Sequence, residues 1–161
     1  SEIGSGNIGA TNVLRTGNKF AAFLTLFLDG FKGFLAVYIF YSFLGLTAAQ
    51  FSSIFVFLGH LLPIFNKFKG GKGVATFLGI IMALNFWLFF YAGLIWLILA
   101  FLFKRSSLSS LFSSSFTLIL AFPLGLENNF WVLILLVIGI FVSHRANIVR
   151  LFNGLEPKIG E

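Results

Sequence analysis

Three short polar stretches in an otherwise apolar chain carry residues suited to holding phosphate. The first, SEIGSGNIGATNVLRTG, interleaves Gly4, Gly6 and Gly9 with Ser5, Asn7, Thr11 and Asn12 and closes on Arg15. Glycines let main-chain N–H groups approach a ligand. Successive N–H groups form an anion-binding nest, and the planar fork of Arg15 suits a phosphate. The second, KFKGGKGVAT, sets Gly70, Gly71 and Gly73 around Lys72, with Thr76 inside the helix expected to follow. A helix N-terminus offers free N–H groups and the positive end of the dipole. The nucleotide loop GxxxxGK[ST] would need Gly at 66 and Ser or Thr at 73, where Asn66 and Gly73 stand, so ATP is not inferred. The third holds His144, Arg145, Asn147 and Arg150, followed by Glu156. His144 and Asn147 have the spacing of one helical face, and His moves protons near neutral pH. Each stretch also has a plainer reading: a linker, a glycine turn with a basic topology signal, and a structural interfacial His. His60, in LGHLLP, reads as packing near a Pro63 kink. Asp29 and Lys32 read as an ion pair roughly mid-membrane.

Membrane helices must position these residues. The chain has 161 residues, 58% hydrophobic and 10% charged, with 24 Phe and no Cys; its mean hydropathy is +1.00. A soluble domain is roughly 25% charged, so disorder and an ordinary water-soluble globule are both excluded. The absence of Cys excludes a disulfide scaffold and thiolate metal sites. The chain starts at Ser1 and its only Met is Met82, so we expect the natural N-terminus to lie upstream; no secretory signal is visible.

Apolar stretches run from Phe20 to Leu46, Ala48 to Phe65, Val74 to Phe103, Leu108 to Leu126 and Phe130 to Ser143. A helix needs about 20 apolar residues to cross a bilayer, so Val74–Phe103 is one long helix or two short ones. Charge decides between them, because short cytoplasmic loops carry the Lys/Arg excess. Loop cations fall in four clusters: Arg15 and Lys19; Lys67, Lys69 and Lys72; Lys104 and Arg105; Arg145, Arg150 and Lys158. If the long run turns near Asn85, all four lie on one side, and the opposite loops, around Thr47–Gln50, Asn85 and Glu127–Asn129, carry none. The expectation is therefore an all-α polytopic membrane bundle with six membrane segments and the polar stretches on the cytoplasmic face. In the Ser-rich run 106–115, Ser107, Ser110 and Ser114 share a face. Their hydroxyls either bond back to the preceding turn or line a polar pocket.

At GSGNIGATNVLR, LDGFKG, GHLLPIFNKFKGGKGVAT and HRANIVRLFNGLEPKI the chain resembles the bacterial acyl-phosphate-dependent glycerol-3-phosphate acyltransferases (the PlsY family). The likeness runs from residue 4 to about 159, with the motifs in the family's order. It implies a single acyltransferase domain over 1–161, with six of seven membrane helices present, in the bacterial cytoplasmic membrane. It implies transfer of a fatty acyl group from acyl phosphate to the 1-hydroxyl of glycerol 3-phosphate, without metal or other cofactor; no nucleic acid is implied. The products are lysophosphatidic acid and phosphate. By the same resemblance Ser5, Arg15, His144 and Asn147 are catalytic. Gly70, Gly71, Lys72, Gly73, Thr76 and Ser107 (with Ser106 the alternative) bind substrate phosphate, and Glu156 is structural. The HxxxxD signature of acyltransferases that use other donors is missing: five residues after His60 stands Phe65, and five after His144 stands Val149.

The mechanism implied is direct attack of the glycerol 3-phosphate hydroxyl on the acyl carbonyl. Lys72, Arg15, His144 and loop N–H groups offset the repulsion of two anions, and an acyl-Ser5 intermediate is the competing route. Two other classes fit the sequence less well. An organic-phosphate transporter needs polar groups along a path through the membrane, yet the outer loops carry only Glu127 and neutral residues. A passive lipid-binding protein does not need three such motifs.

Overall fold

The computed structural model describes residues 9–14, 16–68 and 70–159. Among the described residues seven α-helices follow in order: α1 (Ala10–Leu14), α2 (Lys19–Leu61), α3 (Val74–Leu84), α4 (Phe86–Phe103), α5 (Ser106–Ala121), α6 (Phe130–Ser143) and α7 (Arg145–Phe152). Short 3-10 turns occupy Ile64–Asn66 and Glu127–Asn129.

The long α2 is two helices. Gly45 has φ 80° and ψ −172°, a left-handed conformation open to glycine. Across it Lys32 Nζ and His60 Nδ1, 28 positions apart in sequence, lie within 2.7 Å. A straight helix would separate them by about 42 Å, so arms 19–44 and 46–61 fold back antiparallel. This moves the expected outer loop: Thr47–Gln50 is not a loop but the opening of the second arm. Gln50 is buried there and donates to the Asn128 carbonyl at 2.7 Å and to Asn129 Oδ1 at 3.2 Å.

The run Val74–Phe103 breaks at Asn85, as its charge pattern requires. Asn85 donates its main-chain N–H to the Ile81 carbonyl, and its side chain accepts from Leu88 N–H at 3.0 Å. One residue thus ends α3 and caps α4.

Helix α3 lies against α2 with almost no side chain between them. A Cβ on Gly79 would stand 1.9 Å from the Gly30 carbonyl oxygen, and one on Gly33 would stand 2.5 Å from that of Thr76. Close backbone approach of this kind holds helices together where lipid removes the hydrophobic drive. An apolar core includes Phe57, Phe77, Ile80, Leu133, Leu136 and Ile140, with polar side chains such as Gln50, Ser53 and Thr117 buried beside it. The outer surface is apolar too, with Phe20, Phe43, Leu97 and Phe101 exposed, as for a chain solvated by lipid. By length and composition α2 and α4 are able to cross a membrane. The pair α6–α7, bent by 63° at His144, makes a third candidate; α3 and α5 are shorter apolar helices.

Candidate active site

One end of the bundle gathers the glycine loop and the His144 stretch. The second arm of α2 ends at Leu61, and the chain passes through the 3-10 turn and Pro63 before the glycine loop at 70–73 opens α3. The loop sits directly on that arm. A Cβ on Gly70 would stand 2.1 Å from the His60 carbonyl oxygen and 2.4 Å from that of Leu61; one on Gly73, at φ 80°, would strike the Phe57 ring at 2.5 Å. Only glycine fits either place, so the main chain itself forms the cradle. On the other side, Ser143 at the end of α6 donates to the Lys72 carbonyl at 3.0 Å, sharing its proton with the Ile140 carbonyl at 2.8 Å. Gly71 and Lys72 are half-buried. Thr76 faces Gly33, and its Oγ1 is buried without a hydrogen-bond partner.

His144 occupies the 63° break between α6 and α7 and is 1% exposed. Its Nδ1 lies 2.8 Å from the Ile140 carbonyl. A carbonyl only accepts, so Nδ1 carries the proton and Nε2 presents a lone pair. Burial, and then the charge of Lys72, push its pKa down to about 4. At neutral pH His144 is therefore neutral. It does not add the positive charge the sequence reading counted on; it offers a fixed hydrogen-bond acceptor.

Asn147, in the first turn of α7, points elsewhere. It donates to Glu156 Oε1 at 2.6 Å, and Ser107 of α5 donates to the same oxygen at 2.7 Å. Arg150 Nε meets Glu156 Oε2 at 2.8 Å. Burial favours the neutral acid, but the Asn147, Ser107 and Arg150 donors, together with the Arg150 charge, hold the carboxyl below its ordinary value of 4.5. Nearby, Thr11 of α1 lies 3.4 Å from Ser106. Polar contacts thus join α5 and α7 through Glu156, and a separate one joins the α6 end to the glycine loop. Ser5 and Arg15 lie outside the described residues. Among the described residues no three His, Cys, Asp or Glu side chains cluster as a metal site would need.

The sequence profile of the glycerol-3-phosphate acyltransferases matches residues 1–154. The chain belongs to that family. A glycerol-3-phosphate acyltransferase of Jannaschia sp. (strain CCS1) is 52% identical over 159 residues, which cover 99% of this chain and 78% of the relative. One from Wolbachia pipientis wMel is 49% identical over 161 residues, covering 98% and 82%. Among solved structures, PlsY (YgiH), an integral membrane glycerol 3-phosphate acyltransferase crystallised in its glycerol 3-phosphate form, superposes with TM-score 0.94 at 36% identity, over 98% of this chain and 80% of that one. Its lysophosphatidic acid form superposes with TM-score 0.91 at 37% identity, over 96% and 80%.

In this acyltransferase the structure adds two residues to the meeting of the polar stretches. Asp29 and Lys32 do form an ion pair. They are level with the glycine loop, because Gly30 and Gly33 beside them touch α3 at Ala75 and Thr76. His60 joins them, its Nδ1 2.7 Å from Lys32 Nζ and 3.4 Å from Asp29 Oδ1. The signal for this meeting was the near-equal chain distance of Lys32 and His60 from Gly45. The second addition is Ser143, next to His144 in sequence and unremarkable there.

Proposed function

We propose that this chain transfers a fatty acyl group from acyl phosphate to the 1-hydroxyl of glycerol 3-phosphate, as a single domain at the cytoplasmic face of a bacterial inner membrane. Six helical segments cross or enter that membrane: the two arms of α2, then α3, α4, α5 and α6. The observation that carries the proposal is the seating of a main-chain loop around Lys72, at the N-terminus of α3, beside a neutral histidine.

The loop N–H groups of Gly70, Gly71 and Gly73 and the α3 dipole receive a phosphate, with Lys72 supplying charge. Arg15 and Ser5 are assigned here to the second phosphate on the strength of their motif. The hydroxyl oxygen of glycerol 3-phosphate attacks the acyl carbonyl carbon. The bond from that carbon to the phosphate oxygen breaks, and phosphate leaves with the electron pair. The hydroxyl proton passes to a phosphate oxygen. His144 Nε2 accepts the hydroxyl's hydrogen bond before attack and aims it. A base with a pKa near 4 is too weak to remove that proton alone, so orientation is its contribution. Holding two anions in register supplies roughly 7–11 kcal/mol. Asn147 and Ser107 face Glu156 rather than the loop, and in this geometry Ser107 has no proton left for a phosphate.

The test uses the protein in lipid nanodiscs with glycerol 3-phosphate and acyl phosphate, following formation of lysophosphatidic acid, and then with acyl-CoA in place of acyl phosphate. Lysophosphatidic acid formed from acyl phosphate and not from acyl-CoA supports the reading. Turnover with acyl-CoA, or none with acyl phosphate, overturns the donor. An isolable acyl adduct on Ser5 replaces direct transfer by the covalent route. Thiols placed at 69 and 145 should label from the same compartment.

A further inference from the structure

The Asp29–Lys32–His60 cluster has no part in the chemistry above, yet it sits directly behind the glycine loop. Lys32 Nζ donates to Asp29 Oδ1 within its own arm of α2 and reaches His60 Nδ1 in the other arm at 2.7 Å. An ammonium only donates, so Nδ1 accepts. This side-chain bridge ties the two arms together far from their Gly45 turn.

Its position matters because both arms are seats. Gly30 and Gly33, on either side of Lys32 in sequence, take the first turns of α3 against bare backbone. The His60 and Leu61 carbonyls take Gly70, with no room for a methyl group. Loop and helix start therefore rest in a notch between the arms, and the Lys32 bridge spans that notch. The contacts across it are backbone on backbone, so a shift of either arm passes to the loop N–H groups without side chains to absorb it.

The geometry points to Lys32, through Asp29 and His60, as a positioning residue for the phosphate-binding loop. The inference rests on the reading that loop 70–73 binds glycerol 3-phosphate. Losing the bridge leaves the reacting groups intact and misplaces the loop donors. Binding of glycerol 3-phosphate should weaken in ground state and transition state alike, so KM rises while kcat holds.

The experiment compares Lys32→Met, Lys32→Arg and Lys72→Ala in nanodiscs, with the unfolding midpoint measured for each. Lys32→Met is expected to raise KM for glycerol 3-phosphate about tenfold, with kcat and the KM for acyl phosphate within about twofold. Lys32→Arg keeps a donor to both partners and should restore KM. If Lys72→Ala raises KM but Lys32→Met does not, the positioning role is wrong and the loop reading stands. If neither raises it, the loop reading falls. A Lys32→Met loss confined to kcat or to the unfolding midpoint also overturns the inference. Should Lys32→Met fail to fold, His60→Gln, which keeps an acceptor, set against His60→Leu, which does not, decides by the same KM difference.

Discussion

The knot at Glu156 and the loop at Gly70–Gly73 lie on either side of His144 and use their polar groups in opposite ways. At Glu156, side chains from α5 and α7 converge on one buried carboxylate, and both its oxygens are taken. At the loop the polar groups are main chain, pressed against bare carbonyls and the Phe57 ring where no Cβ fits. A carboxylate so fully met has little left to offer a ligand. A glycine turn opening a helix keeps its donors for one. The same end of the bundle therefore contains a clamp and a receiver, and removing either should leave a different signature.

The largest effect is expected at the clamp. Glu156→Ala leaves the Arg150 guanidinium facing a cavity and frees the donors of Asn147 and Ser107. Breaking a mostly buried pair from one side costs about 3 kcal/mol, read as a lower unfolding midpoint in detergent. The pH dependence has a definite sign. Because the Glu156 pKa is lowered on folding, its contribution is complete above the ordinary value of 4.5 and is lost as pH falls through the lowered one. A midpoint unchanged in Glu156→Ala would make the knot a substrate site and erase the contrast.

At the receiver, Lys72→Ala should raise KM for glycerol 3-phosphate about 30-fold, near 2 kcal/mol, with the unfolding midpoint little changed. An unchanged KM removes the phosphate from this loop.

The two regions also meet electrostatically at His144. Lys72→Met should raise the His144 pKa above about 4, and burial should keep it below 6.5. Titration of the imidazole resonances checks this. A buried neutral His loses stability as pH falls from its ordinary value of 6.5 towards about 4, because only the unfolded chain takes the proton there. That window should narrow in the variant. A His144 pKa that stays put assigns the whole shift to burial and uncouples the loop from the histidine.

Much of this layout was legible in the sequence, and the exceptions have a common cause. The break at Asn85 was readable because charge on either side forced it and Asn caps helices. The glycine loop and the His144 stretch were readable because chemistry demands those residue types close together. The Ser-rich run mostly follows its plainer reading: Ser109, Ser110, Ser113 and Ser114 donate to carbonyls three or four residues back. The turn at Gly45 was misplaced by a few residues, because polar Thr47 and Gln50 resemble a loop until Asn128 and Asn129 are seen to meet Gln50. The register of Asp29 and Lys32 against His60 was hidden for a similar reason. Position within an apolar stretch says nothing of how far one arm overhangs the other, and only the pairing with His60 fixes that register. Ser107 on Glu156, Lys32 on His60 and Ser143 on Lys72 are all long-range meetings, which local pattern does not encode.

The smallest expected effect separates the two regions most sharply, because it uses the same residue type in both. Ser107 and Ser143 are serines with a hydroxyl on a polar partner, at 2.7 Å and 3.0 Å. Ser107→Ala takes one of the donors from a buried carboxylate, so stability should fall by about 1.5 kcal/mol while KM holds. Ser143→Ala leaves the Lys72 carbonyl without that donor at the loop's edge. Its stability cost should be under about 1 kcal/mol, while KM for glycerol 3-phosphate rises about threefold. Ser143→Thr, which keeps the hydroxyl, should return it. The reverse outcome, with KM moving in Ser107→Ala and only stability in Ser143→Ala, would mean that Ser107 leaves Glu156 to meet substrate phosphate. Clamp and receiver would then be one device that rearranges when the substrate arrives.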